Sequence, residues 1–181
     1  STFNYTPASA TAGVTFSWSR AAVPGISNAA ASGTGNPGET LVNTTALPVS
    51  VVYVYTLAAN GCPNTQNVTV VVNPTPTLSG SLTASVCTGS SFGYTASSAT
   101  ANVAFSWSRA AVAGISNGAS SGTGNINETL INTTGSPVNV TYIYTLSATG
   151  CSNTQNVVVT VNPTVTIAPL SQEVCNNTSI S

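Results

Sequence analysis

The chain has 181 residues with two arginines, three glutamates and no His, Lys or Asp, which gives a formal net charge of −1. Charged residues are 3% of the chain, against about 25% in a typical soluble domain. Its 41% hydrophobic content and low net charge exclude an ordinary disordered chain. Two cations are too few for nucleic-acid binding, and no apolar run reaches the roughly 20 residues of a membrane helix, so no membrane insertion is expected.

Strands are predicted throughout, because the apolar residues alternate with polar ones at period two. In chain order, the first half predicts strands around Phe3 and Tyr5, then over residues 14–18, 52–57 and 68–72. Residues 20–31 carry a weak helical pattern, but Pro24-Gly25 interrupts it, and at most one short turn is expected there. Turn residues rich in Gly, Asn and Pro separate the strands, at Pro24-Gly25, Ser32 to Asn36, Asn60-Gly61 and Asn73-Pro74.

The whole pattern repeats after 89 residues. Residues 1–74 align without a gap on residues 90–163, and 52 of the 74 positions are identical. A period near 90 residues suits one immunoglobulin-sized sandwich of about 100 residues per repeat. The sequence therefore predicts an all-β protein of tandem antiparallel β-sandwiches. We place repeat 1 at 1–76, repeat 2 at 77–164 and the start of a third repeat at 165–181; repeat 1 extends to residue 87 if the following strand folds back onto it.

Aromatic residues on one predicted strand of each repeat are the expected core anchors. Trp18 and Phe16 in repeat 1 correspond to Trp107 and Phe105 in repeat 2, and a sandwich of this size packs a large aromatic side chain between its sheets. A second possibility concerns four tyrosines that period two places on one face of a later strand. If exposed, they could form a platform for stacking sugars; they are Tyr53, Tyr55, Tyr142 and Tyr144.

Opposite charges recur at the same offset in the two repeats. Arg20 with Glu39, and Arg109 with Glu128, are separated by 19 residues in each case. We expect each pair to form a structural ion pair between loops, which stabilises the fold chiefly if the guanidinium is partly desolvated. The alternative is that the arginine binds an anionic ligand.

The composition argues against catalysis. General acid–base chemistry uses His, paired carboxylates, Lys or an activated Cys, and a repeat offers one Arg, one Glu and no His, Asp or Lys. Zinc and calcium sites need clustered Cys, His or carboxylate ligands that the repeats lack. We therefore predict no enzyme activity, no metal site and no cofactor.

Four cysteines occupy repeating positions, which favours disulfides formed in an oxidising compartment. One connectivity joins Cys87 to Cys151 and leaves Cys62 and Cys175 without partners. The favoured connectivity joins Cys62 to Cys87 and Cys151 to Cys175. It is favoured because a hairpin about Pro74-Thr75-Pro76 has arms of equal length that place Cys62 opposite Cys87.

The motifs together resemble a known family. They are Cys87-Thr88-Gly89-Ser90, Phe105-Ser106-Trp107-Ser108-Arg109, Gly114-Ile115, Gly122-Thr123-Gly124-Asn125, Glu128-Thr129-Leu130-Ile131-Asn132, Tyr142-Ile143-Tyr144, Gly150-Cys151 and Val161-Asn162-Pro163. This set is similar to the PKD-like repeats of Bacteroidetes surface proteins. The resemblance implies immunoglobulin-like sandwiches, export by the type IX system, an extracellular or cell-surface location, and membership in very long adhesins like the mobile gliding adhesin. The Trp-Asp-Phe-Gly-Asp-Gly loop of the founding PKD pattern is absent.

Three functional hypotheses follow. The first is a structural stalk or spacer of a secreted cell-surface adhesin or extracellular filament, whose partners are neighbouring repeats of the same chain. The second is a carbohydrate-binding module that uses the four tyrosines, with surface polysaccharide as its partner. The third is an accessory array of a secreted enzyme, whose catalytic domain would lie outside these residues.

Overall fold

A computed structural model describes residues 2–165 of the chain. Every regular element in this range is a β-strand, and no helix interrupts them. The predicted all-β class is therefore confirmed, and the strands form two tandem immunoglobulin-like sandwiches. Residues 20–31 contain no helix, and their one short turn is at Pro24-Gly25, closed by a hydrogen bond from the Ile26 N–H to the Val23 carbonyl oxygen. No helix of the described range has the length and apolarity that crossing a membrane requires.

Repeat 1 holds six strands in two sheets. They are β1 (Thr2–Phe3), β2 (Thr15–Arg20), β3 (Ala31–Thr34), β4 (Glu39–Thr40), β5 (Val49–Ala59) and β6 (Cys62–Val72). The larger sheet has the order β3-β2-β5-β6, and β1 pairs with β4 in the smaller one. All pairings within the repeat are antiparallel.

Repeat 2 holds seven strands. They are β7 (Thr83–Cys87), β8 (Ser91–Tyr94), β9 (Ala104–Arg109), β10 (Ser120–Thr123), β11 (Ile126–Thr129), β12 (Val138–Ala148) and β13 (Cys151–Asn162). The larger sheet has the order β10-β9-β12-β13-β7, and β8 pairs with β11. Strand β7 runs parallel to β13, with Thr83 beside Val158 and Cys87 beside Asn162. Residues 83–87 thus pair within repeat 2 and not with repeat 1.

The longest hairpin of each repeat ends in a two-residue turn. In repeat 1, Asn60 and Gly61 have φ of 51° and 79°, and in repeat 2, Thr149 and Gly150 have φ of 42° and 75°. Positive φ at both central residues is the tight hairpin turn that matches strand twist. Each turn therefore ends directly at a cysteine, Cys62 or Cys151, which pairs with the last residue of the preceding strand.

Each sandwich has its own core. In repeat 1 the buried side chains include Trp18, Val51, Tyr53 and Tyr55. The core of repeat 2 contains their counterparts and adds Phe92, Ile126, Leu146 and the β13 valines, among others. The two repeats thus use one core pattern, which is more completely buried in repeat 2.

Candidate functional site

The most polar buried site in each repeat is an Arg–Glu–Tyr cluster. In repeat 1, Arg20 at the end of β2 donates from Nε to Glu39 Oε2 and from Nη2 to Glu39 Oε1, both at 2.9 Å. The hydroxyl of Tyr53 donates to the same Oε2 at 2.6 Å. Arg20 also donates to the carbonyl oxygens of Ala21 and Ala29. The guanidinium therefore ties the end of β2 and the single loop that follows it to a carboxylate on β4. The ion pair joins two strands, and not two loops as expected from the sequence.

Repeat 2 reproduces this cluster. Arg109 Nε donates to Glu128 Oε2 at 2.9 Å, and the Tyr142 hydroxyl donates to that oxygen at 2.6 Å. Arg109 also donates to the carbonyl oxygens of Ala110 and Gly118. Each guanidinium carbon lies about 6 Å from its tyrosine ring centroid, at 6.0 Å in repeat 1 and 5.9 Å in repeat 2.

Burial and hydrogen bonding set the charges of these clusters. Both arginines are almost inaccessible to water, whereas the glutamates are partly exposed. The hydrogen bond from Arg20 lowers the pKa of Glu39. Burial by itself would raise the pKa of Glu128, but the hydrogen bonds from Arg109 and Tyr142 outweigh it and the pKa is lowered. Burial raises the pKa of Tyr53 and of Tyr142. At neutral pH each cluster is therefore a closed ion pair with a protonated phenol.

This arrangement leaves no room for the alternative anion-binding role of the arginines. All three nitrogens of each guanidinium already donate to protein oxygens, and the side chains of Arg20 and Arg109 are almost inaccessible to solvent. Both expected ion pairs of residues 2–165 therefore have a buried arginine that is fully used in contacts within the fold.

The predicted aromatic anchors lie on β2 and β9. Trp18 and Trp107 belong to the two cores, and their indole rings meet Tyr53 and Tyr142 edge to face. Phe105 is half-buried and packs against the core of repeat 2. Phe16 is half-buried at the start of β2 and does not belong to the core of repeat 1, contrary to the prediction from the sequence.

Each indole ring lies against a glycine of the neighbouring strand, with no space for a side chain there. A Cβ added to Gly122 would lie 2.8 Å from Cζ2 of Trp107, and one added to Gly33 would lie 3.0 Å from Cζ2 of Trp18. These glycines sit directly opposite the tryptophans on the paired strands β3 and β10. Glycine is needed there because the ring lies flat against the neighbouring backbone.

The four tyrosines do not form an exposed platform. Tyr53, Tyr142 and Tyr144 are fully buried and Tyr55 is 2% exposed. Their hydroxyls donate to Glu39, Glu128 and, at 3.2 and 3.0 Å, to the carbonyl oxygens of Gly35 and Gly124. Stacking against sugars requires exposed rings, so these four tyrosines cannot form the predicted platform.

A second polar site lies where the repeats meet. Asn73 at the end of β6 donates from Nδ2 to the carbonyl oxygen of Thr149 at 3.1 Å. In the other direction, Asn153 donates to the carbonyl oxygen of Pro76 at 3.0 Å, and the backbone N–H of Leu78 donates to Gln155 Oε1. The linker is therefore held along the first residues of β13.

The linker is also packed. Pro74 and Pro76 are buried, and Leu78 belongs to the core of repeat 2. Pro74 lies in a cleft with Leu47 and Pro48 of repeat 1 and Thr149 of repeat 2, among other residues. Composition alone did not reveal this site. The segment that supplies Asn153 and Gln155 recurs unchanged at residues 64–67, where it is exposed, so its sequence does not distinguish the junction.

Cys62 and Cys87 do not meet as the sequence predicted. Cys62, Cys87 and Cys151 are free thiols. The hairpin expected about Pro74-Thr75-Pro76 is not formed, because residues 62–72 pair with β5 and residues 83–87 pair with β13. Cys62 and Cys87 consequently lie in different sheets, each at the end of its repeat away from the junction. The expected partner of Cys151, Cys175, lies outside the described residues.

The other connectivity is not formed either. Cys151 begins β13, and Cys87 lies beside Asn162 at its far end. Eleven residue steps along a strand span about 36 Å, whereas the Cα atoms of a disulfide are about 4.4 to 6.8 Å apart. Cys87 and Cys151 of one repeat therefore cannot bond to each other in this fold.

No group of three or more His, Cys, Asp or Glu side chains is gathered anywhere in residues 2–165 as metal ligands would be. The charged side chains of this range that come together are the two ion pairs described above. The described polar sites are therefore the two Arg–Glu–Tyr clusters, called clamps below, and one packed junction between the repeats.

A comparison with protein families identifies the architecture. The profile described as PKD-like domain matches residues 2–76 and again residues 77–165. The chain belongs to the PKD-like domain family. A search of curated proteins finds no match to the chain. The two matched segments meet between Pro76 and Thr77, within the linker that β13 holds.

Proposed function

We propose that this chain is a structural stalk or spacer, part of a long secreted adhesin or extracellular filament on a cell surface, and that it has no catalytic role. The observation that carries the proposal is the junction, where side chains of repeat 2 bind the backbone of the linker. Tandem PKD-like domains are consistent with a repeat protein of this kind. The location and the adhesin are inferred from the resemblance to Bacteroidetes surface repeats.

A spacer must hold its ends apart, which requires a junction that resists bending. Short linkers that contain Pro limit bending, because their backbone favours extended conformations. Here the linker residues Pro74 and Pro76 are also buried, and hydrogen bonds reach across the junction from both sides. These contacts support a fixed angle between the repeats.

The clamps support the same role within each repeat. Each one ties the end of a central strand, a loop and the smaller sheet through a single carboxylate. Because the guanidinium is desolvated, rupture of the pair would leave a buried charge unpaired. Such a contact resists local opening more than a surface ion pair would.

The test is the distance between the two outer ends of the repeats. Nitroxide labels are placed on Cys62 and Cys87, and Cys151→Ser and Cys175→Ser prevent labelling elsewhere. Pulsed electron–electron double resonance should then give a narrow distribution of the distance between the labels. The double variant Asn153→Ala/Gln155→Ala should broaden it. Asn64→Ala/Gln66→Ala is the matched control, since these counterparts are exposed. A broad distribution in the parent protein would refute a rigid spacer.

The rival functions are tested on the same protein. A folded sample should show no saturable binding to a panel of immobilised polysaccharides. Saturable binding would replace the spacer with a carbohydrate-binding module, at a surface other than the buried tyrosines.

A further inference from the structure

Repeat 1 has a free sheet edge where repeat 2 has a strand. In repeat 2, β13 is covered by the parallel strand β7. In repeat 1, the sheet order ends at β6, and no described residue pairs with its outer edge. The backbone N–H of Val158 donates to the carbonyl oxygen of Leu82 at 2.9 Å. Its counterpart 89 residues earlier, Thr69, has no such acceptor among the described residues.

A cleft continues this edge at the junction. In repeat 2, Thr88 donates from its N–H to the carbonyl oxygen of Asn162, and Gly89 donates to that of Leu130. Asn132 donates its N–H to the Thr88 hydroxyl. The counterparts of these three partners are Asn73, Leu41 and Asn43, and all three line the cleft. The cleft therefore has the shape and polar groups of a site for a Cys-Thr-Gly segment.

The edge is also apolar. Val70 and Val72 are only half-buried and Val71 is 57% exposed. In repeat 2 the valines equivalent to the first two, Val159 and Val161, are fully buried, with Ala84 and Val86 of β7 packed against the same core. A strand with the β7 pattern would bury the exposed surface in the same way.

The remaining lining of the cleft comes from repeat 2. It is the hairpin tip Thr149, Gly150 and Cys151. Asn73 donates to the carbonyl oxygen of Thr149 at 3.1 Å. The counterpart of Asn73 in repeat 2 is Asn162, and Cys87 of β7 lies beside it. A cysteine held in that register beside Asn73 would thus enter the cleft that Cys151 lines.

We infer that the free edge of β6 binds an extended segment of the β7 type, with the sequence pattern of residues 77–89, and that its cysteine forms a disulfide with Cys151 across the junction. By the same geometry, Cys87 would bond to the hairpin cysteine of a repeat that follows repeat 2. This inference does not depend on the spacer function, because it uses only the geometry of one junction.

The chemistry is thiol–disulfide exchange. The two thiols lose two protons and two electrons and form one S–S bond. The electrons pass to a small-molecule disulfide such as oxidised glutathione, which is reduced to two thiols through a mixed-disulfide intermediate. A secreted protein meets such oxidants in the compartments where disulfides persist.

The experiment appends residues 77–89 directly before Ser1 of the full chain, which restores the spacing found before Ser90. After refolding with reduced and oxidised glutathione, a non-reducing peptide map should join the appended cysteine to Cys151. The variant Cys151→Ser should abolish this bond, while Cys62→Ser and Cys87→Ser should leave it intact. An appended cysteine that stays free, or bonds to Cys62, would overturn the disulfide.

Strand binding is measured separately, so that it does not depend on oxidation. The appended segment with its cysteine replaced by Ser should slow hydrogen exchange at the Thr69 amide about tenfold, as one added backbone hydrogen bond implies. A peptide of residues 77–89 added to the unmodified chain is the second arm, with a shuffled peptide as its control. Unchanged exchange at Thr69 in both arms would overturn the strand site.

Discussion

The two repeats share most of their sequence, yet their cores are not equally closed. Repeat 2 has thirteen buried core residues and repeat 1 has six. Their tryptophans, tyrosines and clamps have the same neighbours. Part of the difference lies along the last strand, where β7 covers β13 and nothing in the described residues covers β6. The rest lies on other strands of repeat 2, where Phe92, Ile126 and Leu146 are buried and their counterparts in repeat 1 are only half-buried.

This comparison shows which contacts a repeat makes for itself and which come from the segment before it. The clamp joins residues 20 and 39, or 109 and 128, and is complete in both repeats. The last strand of each repeat carries a row of core-facing valines, called the valine row below. This row is fully buried only in repeat 2, where β7 is present. Its members are Val68, Val70 and Val72 in repeat 1 and Val157, Val159 and Val161 in repeat 2. Four predictions test this division, in order of expected effect.

The largest effect is expected from removing a clamp carboxylate. Glu128→Ala leaves Arg109 buried without its partner, which should lower the free energy of unfolding of repeat 2 by about 3 kcal/mol. Glu39→Ala should have a similar effect on repeat 1. Hydrogen exchange of β5 and β12 peptides assigns the loss to a repeat. The neighbouring exposed residue provides the control Thr129→Ala; an equal loss there would contradict a specific role for the clamp.

The next effect separates the two repeats. Val161→Ala removes buried methyl groups beneath β7 and should cost about 2 kcal/mol in repeat 2. Val72→Ala, at the half-buried counterpart, should cost less than half of that. Urea denaturation followed by hydrogen exchange compares them. Equal losses would show that β7 does not make the valine row more stabilising.

A smaller effect is expected beside the indole rings. Gly122→Ala places a methyl group 2.8 Å from the Trp107 ring, so we expect a loss of about 1 kcal/mol from overpacking. Gly33→Ala has slightly more room and should cost less. Gly93→Ala is the control, since a Cβ there meets nothing within 4 Å. Thermal unfolding monitored by tryptophan fluorescence ranks the stability losses of the three variants. Equal losses in all three would contradict overpacking against the indole rings.

The smallest effect is the response to acid. The folded pKa values of Glu39 and Glu128 lie below the ordinary value of 4.5. A depressed carboxyl pKa stabilises the fold fully above the unfolded pKa, and this stabilisation is lost as pH falls through the folded pKa. Stability should thus decline below about pH 4.5. The variant Glu39→Gln/Glu128→Gln should be less stable at pH 7 and should lose most of this pH dependence; an unchanged acid response would point to other groups.

Much of the fold could be read from local pattern. Period-two alternation located the strands that carry Trp18 and Trp107, because a strand exposes its two faces alternately. The equal 19-residue offsets of the two Arg and Glu pairs correctly indicated contact. Disulfide connectivity could not be read in this way. The equal arms around Pro74-Thr75-Pro76 suggested a hairpin, but residues 83–87 bury Ala84 and Val86 against the core of repeat 2 instead.

The sequence by itself determined the repeat, the all-β class, the partners of the two arginines and the turn at Asn60-Gly61, because all of these depend on local pattern and on an internal comparison. The tertiary structure alone decided that the tyrosines are buried, that Asn153 and Gln155 bind the linker, and where the cysteines lie. These outcomes depend on which edge of a sheet each strand joins, and a parallel pairing such as β7 with β13 brings together residues about 75 positions apart.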